Sequence, residues 1–398
     1  MRMRRTAAGV RTRTGWIASV SIAFLLSGSM SSPAQAGALE QARRMHDRLA
    51  GVPPSDQMLL DMTNDLNGVG GRTGIDAAYL AMDDKGFYNV TLKNFAAPWT
   101  NESQSVFVPL NDYTATVIGM IRDDVPFNTL LSANLVYIDP NGATPYSMTN
   151  NNHYAQLEAN DTNLMTALVG VPQTQVTDLP QAAVAGIFTT RAAAEAFFIA
   201  GTNRAMFRFT MLNHLCNDME QVKDITRSPD RIRQDVSRSP GGDSRIFLNN
   251  CIGCHTGMDP MTQAFAYYDY DEVQQRIVYT PDQVQPKYFN NADNFRPGFE
   301  TPDDSWTNYW RAGQNQLLGW DSSLPGSGAG AASMGAELAN SDAFAQCQVR
   351  KVFKTICFRD PVDQADRDQV ATMTSAFRSG GANMKLAFAQ AAVYCKGP

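Results

Sequence analysis

Cys251-Ile252-Gly253-Cys254-His255 is the stretch on which the reading of this chain turns. Thiols three residues apart stand on adjacent turns of a helix, and the residue after them offers an imidazole on the same side. C-x-x-C-H is the pattern that attaches a c-type haem through two thioether bonds, with the histidine ligating the iron. A thioredoxin-like dithiol would need the strand of a βαβ unit before it, and nothing ahead of Cys251 reads as one. The stretch therefore predicts Cys251 and Cys254 as tethers of one covalent haem c and His255 as the proximal iron ligand.

Attachment of this kind follows export, and the first residues have the form of an export signal. Arg2, Arg4, Arg5, Arg11 and Arg13 precede an apolar run from Trp16 to Leu26, and Ser32-Pro33-Ala34-Gln35-Ala36 offers an A-x-A cleavage site. Residues 1–36 are expected to be a cleaved signal peptide, because the run is too short to span a bilayer and no later stretch is long and apolar enough. The expected location is periplasmic or secreted, with no integral membrane segment after cleavage. Cleavage removes five Arg and no acid, which leaves 28 basic against 39 acidic residues, a net charge of −11. That balance argues against nucleic acid and anionic membrane as partners and permits steering toward a basic redox partner protein.

Four further cysteines, Cys216, Cys347, Cys357 and Cys395, suit two disulfides in an oxidising compartment. Cys347 and Cys357 are expected on one helix, roughly 15 Å apart along it, so they should not pair with each other. Cys347 with Cys395 and Cys216 with Cys357 is the preferred pairing; the exchanged one, Cys216 with Cys347 and Cys357 with Cys395, stands close beside it.

Helical spacing recurs along most of the chain. Leu39 to Leu49 has it, and Ser55 after a Gly-Val-Pro-Pro turn can cap a second helix whose buried face holds Met58, Leu59 and Met62. Residues 84–108 are aromatic and polar without a clear period and fit either a hairpin or a loop. Leu110 to Ile121, Arg191 to Ile199 and Arg204 to Glu220 read as helices, and the asparagine-rich stretch 141–152 as a surface loop. Pro229, Pro240, Gly241 and Gly242 among charges make residues 228–244 the best linker, with the boundary near 235–243. Asp243 or Ser244 can cap a short helix that delivers Phe247 one turn before Cys251, where class I cytochromes carry an aromatic. Asp342 to Cys357, Pro361 to Phe377 and Met384 to Cys395 close the chain as helices.

The block from Arg204 to Glu272 resembles the planctomycete-type monohaem cytochrome c proteins, an exported family with one haem motif and flanking helical domains. Cys251, Cys254 and His255 carry the resemblance, followed by Asp259-Pro260 and Ala264-Phe265-Ala266-Tyr267-Tyr268-Asp269. Pro126-Phe127-Asn128-Thr129-Leu130-Leu131 upstream, and Phe344-Ala345-Gln346-Cys347 with Phe353 and Arg359 downstream, also fit. Met261-Thr262 replaces the family's usual Leu-Gly. The resemblance implies electron transfer linked to an extracytoplasmic oxidation.

The sixth position of the iron separates a carrier from an enzyme: a methionine sulfur closes it, whereas an open site admits peroxide or oxygen chemistry. Met334 is the candidate distal ligand, because residues 326–335 read as a flexible loop some eighty residues past His255 and just before a C-terminal helix. His214 on an apolar helix face is read first as core, His46 and His153 as exposed, and Met258 and Met261 as packing beside the ring. Phe265, Tyr267, Tyr268, Trp306 and Trp310 fit plain packing, and Asp269, Asp271 and Glu272 a solvated acidic face. No G-x-S-x-G or H-E-x-x-H element is present.

The fold expected is mainly α: a helical N-terminal domain (37–240) and a cytochrome c-like helical haem domain (241–398). The function expected is an exported c-type cytochrome carrying single electrons through one covalently bound haem, with a haem enzyme of open distal site as the alternative.

Overall fold

The computed structural model describes residues 36–289 and 297–397, so the expected leader lies outside the described residues apart from Ala36. The architecture is mainly helical, with three two-stranded antiparallel ribbons as its only sheets among the described residues. Ala38–Ala50 buries Ala42, Met45 and Leu49, one stripe at helical spacing. Ser55 caps Asp56–Leu66 by accepting from the Met58 N–H at 3.2 Å. These two helices and Gly74–Met82 pack on one another and against Met384–Cys395. Arg44 donates to the Lys396 carbonyl at 2.7 Å and Arg48 to the Ile356 carbonyl at 3.1 Å, so the two ends of the described chain are tied together.

Asp112–Arg122 is buried from Asp112 through Ile121, the mark of a helix enclosed on every side. The main core runs from Ala42 to Ala392 and takes in Phe207, Met261, Phe265 and Trp310. Residues 36–398 thus form one compact unit, and the boundary expected near 240 does not separate two cores. The linker reading of 228–244 fails for a physical reason. Its central charges are internal and paired rather than solvated: the Arg233 side chain is 1 % exposed and that of Asp235 6 %.

Residues 84–108 hold no hairpin, and only 101–108 are a loop; the first part is helical. Phe87–Leu92 is a π-helical turn that leads into Lys93–Ala96 and the 3₁₀ turn Ala97–Thr100. The extra residue of the π turn shifts the phase of the buried Phe87, Leu92, Phe95 and Trp99, which hides the helical period. The helix expected over 204–220 stops at His214, because Cys216 takes a left-handed φ of 55° where it joins Cys347. The stretch 326–335 is not a flexible loop: Ser327–Ala329 pairs with Ser305–Thr307, and Ala331–Ala339 is a helix.

The disulfides are Cys216–Cys347 and Cys357–Cys395, with Cα separations of 5.3 and 5.5 Å. The exchanged pairing is therefore the one adopted, and the preferred one is corrected: the C-terminal ends of the helices Asp342–Cys357 and Met384–Cys395 lie together, which puts Cys395 beside Cys357 and not beside Cys347, about three turns back along the first helix. Non-reducing peptide mapping is expected to recover Cys216 linked to Cys347 and Cys357 linked to Cys395; a Cys347–Cys395 peptide would contradict this chain path.

Candidate functional site

Asp243 caps a short turn, accepting from the Arg245 N–H at 2.9 Å, and the chain continues without a break through a π turn, Phe247–Cys251, into the helix Ile252–Thr262. Phe247 is buried against Ile232 and Val236, with Cys251 and Ile252 packed on this small cluster. Cys251, Cys254, His255, Met258 and Asp259 follow at three- and four-residue steps, so they share one side of the helix. The other side is pressed against the body. A Cβ on Gly257 would collide with the Trp310 indole, so glycine is required there. The Gly253 carbonyl accepts from the Asp224 N–H at 2.9 Å, and Thr256 donates to the Asp224 carbonyl at 2.9 Å.

Beside the exposed side of this helix lies a cavity of about 630 Å³, within the 300–1,000 Å³ typical of small-molecule and cofactor sites. Cys251, Cys254, His255 and Met258 form one wall; Arg204, Ala205, Arg208 and Phe209, from the helix Arg204–His214, form the wall opposite. Asp218, Met219 and Glu220 border it, and Glu102 reaches it from the loop after Thr100. Arg208 and Asp218 pair in two hydrogen bonds of 2.8 Å at its edge.

The two motif cysteines are unpaired and partly exposed, whereas the other four are oxidised. Burial, with Glu220 near it, pushes the Cys254 thiol up to about 11. A redox-active C-x-x-C pair needs a thiolate at neutral pH, and this thiol is held in the opposite direction.

His255 is oriented from behind. Its Nδ1 stands 3.0 Å from Asp259 Oδ1, and the Asp259 side chain is fully buried. Burial opposes the charge on Asp259, but Arg204, His255 and Arg233 outweigh it and keep the carboxyl well below its ordinary range. An ionised carboxylate can only accept, so Nδ1 carries the proton and Nε2 is the free ring nitrogen. Arg204 holds the carboxylate with Nε at 2.8 Å and Nη2 at 3.1 Å, and reaches Asp235 with both Nη atoms at 2.7 and 2.9 Å. The Arg233 backbone N–H donates to Asp259 Oδ2 at 3.2 Å, while its guanidinium donates to Thr202 Oγ1 at 2.6 Å and lies over the Tyr288 ring.

Cys251, Cys254 and His255 thus meet at one cavity, and Met334 does not join them. It is fully buried on Ala331–Ala339, in the main core, and is not among the residues lining the cavity. Met258 and Met219 line the cavity, and Met261 is in the core. His46 and His153 are corrected from exposed to buried. His46 Nδ1 donates to the Val52 carbonyl at 3.0 Å, and His153 bridges the Thr144 carbonyl and the Asp139 N–H. Asp259, Arg204, Asp235 and Arg233 were not foreseen as site residues. The His255-x-x-x-Asp259 spacing was the legible signal for the first of them.

Among the described residues no cluster of three or more His, Cys, Asp or Glu is placed to hold a bare metal ion. No protein-family model, no curated protein and no solved structure matches the chain.

His214 is core, as its position on an apolar face suggested. Tyr113 Oη lies 2.7 Å from its Nε2, Trp99 meets it edge-on, and burial holds it well below its ordinary range, hence neutral. Lys351, on the helix Asp342–Cys357, donates to the Asn213 carbonyl and lies 4.2 Å from the Trp99 ring centre; burial lowers its amine to about 7. The unfolded chain binds this proton up to about pH 10.4 and the folded protein only to about 7, so between these values unfolding free energy should rise with pH. Urea titrations across that window are expected to show the rise, and Lys351→Met to flatten it; an unchanged slope in the variant would contradict the burial of this amine.

Proposed function

We propose that the protein is an exported c-type cytochrome in which Cys251 and Cys254 hold one haem covalently, His255 ligates its iron, and the cavity between the helices Ile252–Thr262 and Arg204–His214 receives the ring. The observation that carries the reading is the joint arrangement at this cavity: two unpaired thiols and a histidine on one helix face, with the histidine's far nitrogen fixed by a buried carboxylate. A carboxylate behind a histidine is the usual outer support of a metal-ligating imidazole, since it sets the tautomer and ring direction. The donor set suits the group: two unpaired thiols beside a cavity of cofactor size, with Ala205, Phe209, Met219 and Met258 as apolar contacts.

Haem c, when bound, supplies a one-electron iron couple. The residues of this chain would tether the ring, orient the ligand nitrogen and exclude part of the solvent. The two disulfides fit an oxidising, extracytoplasmic compartment, and among the described residues no helix is long and apolar enough to cross a membrane. A basic redox protein is the partner class proposed, since Glu102, Asp218 and Glu220 border the cavity of an acidic chain. The resemblance to planctomycete-type cytochrome c proteins and the cytochrome c-like character of the helical region belong to this proposal.

One observation favours the second reading, a haem enzyme with an open sixth position: the expected distal ligand Met334 lies in the core, away from the cavity lining. Optical spectra of the oxidised and reduced protein with and without cyanide separate the two. A carrier is expected to show low-spin iron with little cyanide binding, and Met334→Ala is expected to leave its oxidised spectrum unchanged. High-spin iron with rapid cyanide binding would overturn the carrier reading in favour of the enzyme.

A further inference from the structure

We infer that Asp259 is a positioning residue that lowers the reduction potential of the iron bound by His255, and that it does so through the His255 Nδ1–H hydrogen bond more than through its charge alone. The inference rests on the haem reading above and assigns a role to a residue outside the ligand set.

A histidine ligand whose distal N–H meets a neutral carbonyl keeps its proton. One whose N–H meets an ionised carboxylate shares that proton with an anion, and electron density moves onto the ring. A more electron-rich ligand favours the oxidised iron, which carries the larger positive charge. Here the acceptor is anionic, fully buried and 3.0 Å from Nδ1. Little water reaches it to screen the effect.

Arg204 and Arg233 are the counterweight, since positive charge near the iron favours the reduced form. Their two positive charges are matched within the cluster by the two acids Asp235 and Asp259. Arg204 divides its donors between Asp235 and Asp259, and Arg233 stands 3.8 Å from Asp235 and 3.9 Å from Asp259. The four groups sum to zero charge. Of the four, Asp259 alone is recorded in contact with His255. Two substitutions therefore remove the same unit of charge from one cluster, and only one removes the hydrogen bond. Asp259→Asn takes away both; Asp235→Asn takes away the charge and leaves the bond.

The experiment is a redox titration of the haem-loaded, full-length protein and these two variants, followed by optical absorbance. Asp259→Asn is expected to raise the equilibrium constant for reduction at least tenfold, or ~59 mV for one electron. Asp235→Asn is expected to raise it by less than half of that shift. A loaded Asp259→Asn protein at the wild-type potential, or one shifted no further than Asp235→Asn, would overturn the inference while leaving the haem reading intact. Wild-type protein that exports and folds without haem would instead defeat the haem reading.

Removing one partner from a buried ion cluster can prevent folding, so a second measurement on the wild type also decides. In the reduced protein the His255 Nδ1 proton is expected as a strongly shifted NMR resonance protected from solvent exchange. A freely exchanging proton there would contradict the carboxylate hydrogen bond.

Discussion

A single buried carboxylate organises the site. Taking Asp259 out of water would cost several kcal/mol if it stood alone, and the fold offsets this by bringing three cationic or proton-donating groups to it from three segments: Arg204 from one cavity wall, Arg233 from the strip over 228–244, and His255 from its own helix. Each partner is thereby fixed in turn. Arg204 is held in the wall that faces the motif, the strip is drawn down over the motif helix, and the imidazole is turned so that one nitrogen is satisfied inside and the other is free. Loss of one partner from such a cluster typically costs about 3–5 kcal/mol, so the arrangement and the stability of this region are coupled.

The motif helix is also constrained on its opposite side. Trp310 approaches Gly257 so closely that no side chain fits between them, and Asp224 pairs with the first turn through Gly253 and Thr256. The helix is thus located by packing on one face and by ions at its far end, while its cysteine side borders a cavity. That combination suits a group that must be gripped without movement, because little reorganisation of the protein accompanies a change of charge. The protonated Cys254 thiol and the acidic residues about the cavity point the same way, toward a tethered prosthetic group approached by a basic partner rather than toward thiol chemistry.

Much of the secondary structure was legible because most helices bury one stripe and start at recognisable caps. Ser55, Asp243 and Asn383 each cap the helix that follows, and Met384–Cys395 has the bounds its periodicity gave. The failures have physical causes. A π turn at Phe87–Leu92 displaced the apolar phase by one residue, so a helical run looked aperiodic. The Pro, Gly and charge content of 228–244 has the composition of a linker, yet Arg233 and Asp235 are interior, and composition cannot distinguish a solvated charge from a paired one. His46 and His153 looked exposed because their hydrogen-bond partners are backbone groups, which leave no mark in the side-chain pattern. The motif itself was fully readable, but the choice of Met334 was not supported by spacing alone: chain order places a residue after the motif without saying which side of a helix it will face.

The central claim is that residues 251–255 hold a haem by two covalent bonds. The most direct measurement is mass spectrometry of the denatured protein, recovered from outside the cytoplasm of a haem-attaching host and cleaved by trypsin after Arg245 and Arg276. The account predicts that the 246–276 peptide carries one haem through both Cys251 and Cys254, with neither thiol free to alkylate. The same peptide recovered from folded, exported protein with two alkylatable thiols, or with Cys251 and Cys254 joined in a disulfide, would contradict it.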